Sequence, residues 1–158
     1  MAAAAGAFEF NAIEGGTLDL DDWIGQPVLV VNTASLCKFT PQYDGLQALF
    51  DQYRDAGLVV LAVPSDDFQQ ELDVAEEVKE FCEINFDLDL PMTDITHVRG
   101  QEAHPFYKWV AQTEGFTPSW NFNKILLAPD GTIAATFGSR IEPQSQAITG
   151  RIEAMIAD

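Results

Sequence analysis

Two runs of β-branched and aliphatic residues constrain the fold of this chain more than any other feature. Val28–Asn32 and Leu58–Val63 are continuous apolar segments, a pattern typical of strands buried on both faces. Between them, apolar residues recur at helical spacing: Leu46, Leu49, Phe50 and Tyr53. Thr40 is the predicted N-cap of this helix, with Pro41 at its first position and Gly57 after its end. A strand, helix and strand in this order predict two parallel neighbouring strands.

Periodicity and turn signals predict the remaining elements. They are a hairpin of Phe8–Ile13 with Thr17–Leu20, a helix over Asp73–Phe86, a short helix over His104–Val110, a second hairpin of Lys124–Ala128 with Thr132–Phe137 around Pro129-Asp130-Gly131, and a last helix over Pro143–Ile156. This order predicts an α/β, thioredoxin-like fold, in which helices flank a central mixed sheet and a β-hairpin stands at the N-terminus. We expect residues 1–158 to form one domain, with residues 1–7 as a flexible N-terminus.

The charge of the chain excludes some partners. Asp and Glu number 25 against 8 Lys and Arg, which gives a net charge of −17. Nucleic acid and anionic membranes would repel such a protein. The acidic stretch from Glu71 to Asp94 is interpreted as a solvated face, typical of an acidic cytoplasm or a high-salt habitat. No apolar stretch is long enough to cross a bilayer and the N-terminal run has no basic segment before it, so we expect a cytoplasmic protein without integral membrane association.

Cys37 is the residue whose surroundings predict chemistry. It follows a buried strand and lies three residues before Thr40, where backbone N–H groups and the helix dipole favour a thiolate. Lys38 adds a neighbouring positive charge. Because Thr40 occupies the position of a second cysteine in a Cys-x-x-Cys motif, Cys37 acts from this loop as a lone nucleophile. The alternative is that Cys37 is a buried structural thiol. Its polar neighbours Asn32, Thr33 and Ser35 favour a reactive thiol instead.

Two segments of the chain resemble hallmark segments of the glutathione peroxidase family. Asn32–Tyr43 is similar to the segment around that family's peroxidatic cysteine or selenocysteine, and Trp120–Lys124 is similar to its second hallmark. Further landmarks follow in the same order: Ser65–Phe68, Glu80–Cys82, Ala103–Pro105 and Asp130-Gly131. The resemblance extends from about Phe8 to the last helix. It implies a thioredoxin-like fold and a peroxidase that reduces hydroperoxides with thiols.

The resemblance also implies roles for individual residues. Cys37 corresponds to the peroxidatic nucleophile, and the other members of the catalytic tetrad correspond to Gln70, Trp120 and Asn121. Amide and indole N–H groups suit this reaction, because they stabilise the thiolate and the charge that develops on the leaving oxygen. The segment around Gln70 is one residue shorter than in the family and lacks its glycines. Gln69 therefore remains an alternative, although Glu71 follows Gln70 as the family pattern requires.

Cys82 matches the position of a resolving cysteine in non-selenium members of the family. The resemblance implies a Cys37–Cys82 disulfide that thioredoxin reduces in preference to glutathione. If Cys82 starts in a helix away from Cys37, that helix must unwind locally, because a disulfide needs the two Cα atoms within about 7 Å. The residues themselves leave a structural role open, since Cys82 shares an apolar helical stripe with Val78 and Phe81.

His97 and His104 are the remaining candidates for metal ligands. Together with the two cysteines they show no ligand spacing typical of zinc, so we expect no metal and no cofactor. The expected partners are a hydroperoxide and thioredoxin or glutathione. The short span Ala111–Ser119 lacks the insertion of tetrameric family members, which predicts a monomer or weak dimer. Alternative functions are a redox sensor or interaction protein that signals through Cys37 oxidation, a glutathione-dependent peroxidase with one active cysteine, and a scaffold without catalysis.

Overall fold

The computed structural model describes residues 5–156, which form six strands and four α-helices. The strands are β1 (Glu9–Asn11), β2 (Thr17–Asp19), β3 (Val28–Thr33), β4 (Val59–Pro64), β5 (Lys124–Leu127) and β6 (Ile133–Phe137). The helices are α1 (Gln42–Tyr53), α2 (Ala75–Phe86), α3 (Pro105–Glu114) and α4 (Gln146–Ile156). Each predicted helix and strand is therefore present, with shifts of a few residues at the ends.

The central sheet has four strands in the order β4-β3-β5-β6. β3 and β4 are parallel, with Val28 opposite Val59, which confirms the predicted strand-helix-strand unit. β5 runs antiparallel to β3, and β6 runs antiparallel to β5. β1 and β2 form a separate antiparallel hairpin. The mixed sheet with flanking helices and an N-terminal hairpin confirms the predicted thioredoxin-like fold.

Apolar side chains are buried on both faces of the sheet. On one face, Leu29 and Val31 of β3 pack in a cluster with residues of α1, α2 and α4. On the other face, Val28 and Val30 pack with the β1–β2 hairpin and α3. Every residue of β3 and β4 is buried, because neighbouring residues of a strand point to opposite faces and both faces are covered. The sheet therefore holds the carboxyl end of β3, where the loop with Cys37 begins, in a fixed position.

α1 and α4 begin later than the sequence predicts. α1 begins at Gln42, and its N-cap is Pro41, whose side chain cannot accept a hydrogen bond. The Thr40 hydroxyl is bound within the preceding loop. α4 begins at Gln146 instead of near Pro143, since Ser145 N donates to Glu142 O in a turn that comes first. The prediction that Thr40 caps α1 is therefore wrong.

α2 also begins late, at Ala75 instead of Asp73. The preceding backbone N–H groups of Glu71 and Leu72 bind side-chain carboxylates, and this favours a loop there over a helical turn. Of the predicted apolar stripe, Val78 and Cys82 are buried and Phe81 is half-buried. α2 therefore contributes only two fully buried side chains to the core.

The N-terminal segment packs on the fold from Ala5 onward. Ala5–Ala7 form a 3-10 turn, Ala5 is buried, and its N–H donates to Gly131 O at 2.9 Å. This hydrogen bond holds part of the segment that was expected to be flexible, whereas residues 1–4 lie outside the described residues. Among residues 5–156, the apolar length of each helix falls short of what is needed to cross a bilayer.

Candidate active site

Thr40 closes the loop that carries Cys37. Its hydroxyl accepts from Cys37 N and donates to Ala34 O, both at 2.9 Å, and its own N–H donates to Cys37 O at 3.0 Å. The position that a second cysteine would fill in a dithiol motif thus holds a hydroxyl that fixes the backbone on both sides of Cys37. The loop therefore carries one cysteine, and Thr40 stabilises its backbone.

The sulfur of Cys37 is held close to the start of α1. Phe39 N donates to Cys37 Sγ at 3.4 Å, and the Cys37 residue is 7% exposed. This hydrogen bond fixes the position of the sulfur at the start of α1. Lys38 next to it is exposed, with its ammonium 5.3 Å from the centre of the Phe39 ring.

Gln70 and Asn121 meet beside the Cys37 loop. Asn121 Nδ2 donates to Gln70 Oε1 at 3.5 Å, and Leu36 N donates to Gln70 O at 2.8 Å, which ties Gln70 to the residue before Cys37. Asn121 is 0% exposed, and its Oδ1 finds no hydrogen-bond partner among residues 5–156. Gln69 is exposed, has a φ of 60° and lines a different cleft. Of the two glutamines, the structure brings Gln70 to Asn121.

Trp120 is fixed through its carbonyl oxygen and its ring. The oxygen accepts from Asn32 Nδ2 at 2.9 Å and Asn123 Nδ2 at 3.1 Å, and the indole packs on Phe68 with ring centroids 5.3 Å apart. Phe122 follows shortly after, buried, with a φ of 61° that a bulky side chain rarely adopts. Such strain persists only where the surrounding structure imposes it, and it is typical of functional segments.

An open cavity of about 770 Å³ lies over these residues. Its lining comes from Gln70, Trp120, the neighbours of Cys37 and the loop 138–141, which includes Ser139 and Arg140. Asn121 and Cys37 are buried and are not among the lining residues. Sequence reasoning missed the loop 138–141, because a short polar stretch after a strand carries no signal that distinguishes a cavity wall from an ordinary turn.

Cys82 lies apart from this cavity. It is a buried free thiol on α2, and it lines a second cavity of about 380 Å³ near the β1–β2 hairpin. Burial raises the pKa of Cys82 to about 11, the Tyr43 hydroxyl partly offsets this, and the charges of Glu71 and Glu83 add to it. In this conformation Cys82 is therefore a thiol at neutral pH and is not bonded to Cys37.

Two buried ionisable side chains, Glu71 and Lys124, lie next to the site. Glu71 Oε1 accepts from Ser35 N at 3.1 Å and from Leu72 N at 2.8 Å, and burial raises the pKa of this carboxyl. Lys124 is 0% exposed, and burial lowers its pKa to about 8 against the opposing effect of Glu142. Glu71 is thus not part of the predicted solvated face. The sequence signals for the burial of these two residues were weak, since Glu71 follows a polar loop and Lys124 begins a strand.

Each histidine has a structural partner. His97 Nδ1 lies 2.6 Å from Asp67 Oδ1, and this hydrogen bond raises the pKa of His97. His104 caps α3, since its Nδ1 accepts from Phe106 N at 3.0 Å while its Nε2 lies 2.6 Å from Glu9 O; burial lowers its pKa. Within residues 5–156, no three His, Cys, Asp or Glu side chains are grouped to hold a metal ion.

Fold and site together define a class of protein. A thioredoxin-like fold, one cysteine in the loop before α1 and an amide pair beside that loop are the features of a thiol peroxidase. A sequence model described as "Glutathione peroxidase" matches residues 6–111, a range that includes Cys37, Gln70 and Cys82. The chain belongs to the glutathione peroxidase family, and it is a peroxidase that reduces hydroperoxides with a thiol reductant.

Curated relatives cover most of the chain. A glutathione peroxidase of Lactococcus lactis is 38% identical over 144 residues, 87% of this chain and 92% of the relative. A hydroperoxy fatty acid reductase of Synechocystis is 38% identical, with 86% of this chain and 87% of the relative covered. A glutathione peroxidase-like peroxiredoxin of Chlamydomonas reinhardtii is 39% identical, with 87% and 88% covered.

Solved structures agree with the fold. A crystal structure titled as Trgpx in apo form superposes with a TM-score of 0.78 at 28% identity, covering 99% of this chain and 98% of that one. A thiol:disulfide interchange protein from Chlorobium tepidum superposes with a TM-score of 0.72 at 12% identity, covering 99% and 97%. The second likeness concerns the thioredoxin fold alone.

Proposed function

We propose that Cys37 is the peroxidatic residue, with Gln70, Trp120 and Asn121 as its catalytic partners. The Cys37 thiolate attacks one oxygen of the hydroperoxide, the O–O bond breaks, and the other oxygen leaves with a proton as water or alcohol. Cys37 becomes a sulfenic acid. The observation that carries this assignment is the Asn121 Nδ2 to Gln70 Oε1 contact beside the Cys37 loop. Donors placed there stabilise the charge on sulfur and on the leaving oxygen.

Cys82 is the resolving residue in this proposal. Its sulfur attacks the sulfur of the Cys37 sulfenic acid, an S–S bond forms, and the hydroxyl leaves as water with the thiol proton. A dithiol protein of the thioredoxin type then reduces the disulfide and is itself oxidised. The name of the Chlamydomonas relative, a glutathione peroxidase-like peroxiredoxin, is compatible with a protein reductant.

The build of α2 supports a local opening that frees Cys82. The helix begins after Val74 without a side-chain cap, and Val78 and Cys82 are its only two buried residues. Its sequence holds four glutamates against one lysine, and the like charges of Glu76 and Glu80, one turn apart, repel each other. A helix with few buried contacts and no cap opens at low free-energy cost. Opening also removes the burial that raises the pKa of Cys82.

The open cavity supports a broad range of hydroperoxides. Its apolar lining comes from Phe39, Trp120 and Ile141, which suits an alkyl chain as well as hydrogen peroxide. The Synechocystis relative is named for hydroperoxy fatty acids, and we extend that substrate class to this chain. We place the enzyme in the cytoplasm as a monomer or weak dimer, with no integral membrane association.

An NADPH-coupled assay tests the function. Peroxide turnover is followed with thioredoxin and its reductase, and in a separate reaction with glutathione and its reductase. The wild type is expected to turn over with thioredoxin much faster than with glutathione, and Cys37→Ser is expected to be inert with an unchanged circular dichroism spectrum. Stopped-flow oxidation should slow in Trp120→Phe and Asn121→Ala, whereas their reduction by thioredoxin should not.

Mass spectrometry of the oxidised protein separates the proposed cycle from its rivals. A product two hydrogens lighter, with the Cys37 and Cys82 peptides joined, is expected. A Cys37 glutathione adduct with free Cys82 would instead identify a glutathione-dependent enzyme with one active cysteine. Oxidation of Cys37 without turnover by either reductant would identify a redox sensor.

A further inference from the structure

We propose that Ser139, anchored by the buried Lys124, is a positioning residue that holds the Trp120–Asn121 segment in its reactive geometry. This inference rests on the proposed roles of Trp120 and Asn121. Ser139 lies in the loop after β6 and lines the same cavity as Gln70 and Trp120. Its hydroxyl donates to Asn121 O at 2.6 Å and accepts from Asn123 Nδ2 at 2.9 Å.

Ser139 is itself held through its carbonyl oxygen. That oxygen accepts from Gln42 Nε2 at 2.6 Å and from Lys124 Nζ at 3.3 Å, while Lys124 Nζ also donates to Gln42 Oε1 at 2.7 Å. Gln42 is the first residue of α1, directly after the loop that carries Cys37. One hydrogen-bond network therefore joins the two sides of the site, the start of α1 and the Trp120–Asn121 segment.

Asn123 extends the network to Trp120. Its Nδ2 donates to Trp120 O at 3.1 Å as well as to Ser139 Oγ, and its Oδ1 accepts from Ser119 N at 3.2 Å. The carbonyl oxygens of Trp120 and Asn121 are thus both bound. Phe122 with its φ of 61° follows directly, and a strained segment keeps its conformation only where several contacts determine it. Ser139 supplies the contact to Asn121.

The burial of Lys124 supports a role beyond packing. A buried ammonium is costly to desolvate, and a methionine of similar size would fill the same space without that cost. What the ammonium supplies is a pair of directed hydrogen bonds, to Gln42 Oε1 and to Ser139 O. These bonds hold Ser139, whose hydroxyl donates to Asn121 O.

Ser139→Ala tests the proposal by stopped flow. The second-order rate constant for oxidation of the reduced protein by hydrogen peroxide is expected to fall by about 10-fold, because small displacements of a reacting group lower rates steeply. Ser139→Thr keeps the hydroxyl that binds Asn121 O, so its rate constant is expected to lie within about 2-fold of the wild-type value. Reduction of the oxidised protein by thioredoxin should remain at the wild-type rate, since it does not use Asn121.

Ser145→Ala is the matched control. Ser145 is also partly buried, and its Oγ has no hydrogen-bond partner among residues 5–156, so the same chemical change removes no bond of the site. Wild-type oxidation in Ser139→Ala would overturn the proposal. If Ser139→Ala does not fold, Lys124→Met decides, because it leaves the Ser139 hydroxyl and removes the anchor; slowed oxidation supports the proposal and a wild-type rate overturns it. A wild type that peroxide does not oxidise would overturn the proposed function and this inference with it.

Discussion

Replacing Lys124 by methionine is expected to remove a specific pH dependence of stability. The Lys124 side chain is fully buried against Gln42 and Ser139, and burial lowers its pKa from 10.5 to about 8 in the folded protein. In the unfolded chain the pKa of this lysine returns to its ordinary value. Between these two values the unfolded chain therefore binds more protons than the folded protein at this site.

The size of the effect follows from the two pKa values. Each tenfold difference in proton affinity corresponds to about 1.4 kcal/mol, so the step from 10.5 to about 8 corresponds to about 3 kcal/mol. Below pH 8 the ammonium costs the folded state this full amount. As pH rises from 8 to 10.5 the cost disappears, because the folded protein loses the proton first. The stability of the wild type relative to Lys124→Met should therefore rise with pH in this window.

Urea unfolding followed by tryptophan fluorescence measures the difference. Both proteins are unfolded with a reductant present at pH 7, 8, 9 and 10, and the free energies of unfolding are compared at each pH. Other titrating groups, such as Cys82 and Tyr43, occur in both proteins and cancel in the comparison. Lys108→Met removes one exposed positive charge and serves as the control. A constant difference between wild type and Lys124→Met from pH 7 to pH 10 would refute this account of Lys124.

Two other predictions concern the glutamines and the second cysteine. Gln70→Ala should slow peroxide oxidation of Cys37 by about 100-fold, because it removes one polar group from the reacting centre, whereas Gln69→Ala should change it by less than about 2-fold; the reverse order in stopped flow would move the role to Gln69. Burial raises the pKa of Cys82 from 9.0 to about 11, so this thiol contributes stability below pH 9 that is lost as pH rises to 11. At about 1.4 kcal/mol per tenfold change in proton affinity, the expected fall in the free energy of unfolding is about 3 kcal/mol. Urea unfolding at alkaline pH should show this fall in the wild type and not in Cys82→Ala. An equal fall in both proteins would contradict the burial of Cys82.

Local patterns were enough to predict the framework of the fold. The unbroken apolar runs of β3 and β4 require burial on both faces, and the helix between them requires a parallel pair. Cys37 could be proposed in the same way, since the loop and the helix start that single it out lie within a few residues of it. Element ends were less predictable. Thr40 has the side chain of an N-cap, but the same hydroxyl binds the Cys37 loop instead.

The site itself depends on contacts between distant parts of the chain. Gln70 and Asn121 are 51 residues apart, and Lys124 and Gln42 are 82 residues apart. Spacing does not predict that Gln70 and not Gln69 contacts Asn121, that Glu71 is buried, or that Ser139 binds Asn121. Each of these depends on which side chain another element brings next to it. The sequence alone determined the fold class and the residues that are proposed to reduce a peroxide. Tertiary structure decided which of them share a site, because burial and hydrogen bonding are properties of packed neighbours and not of sequence position.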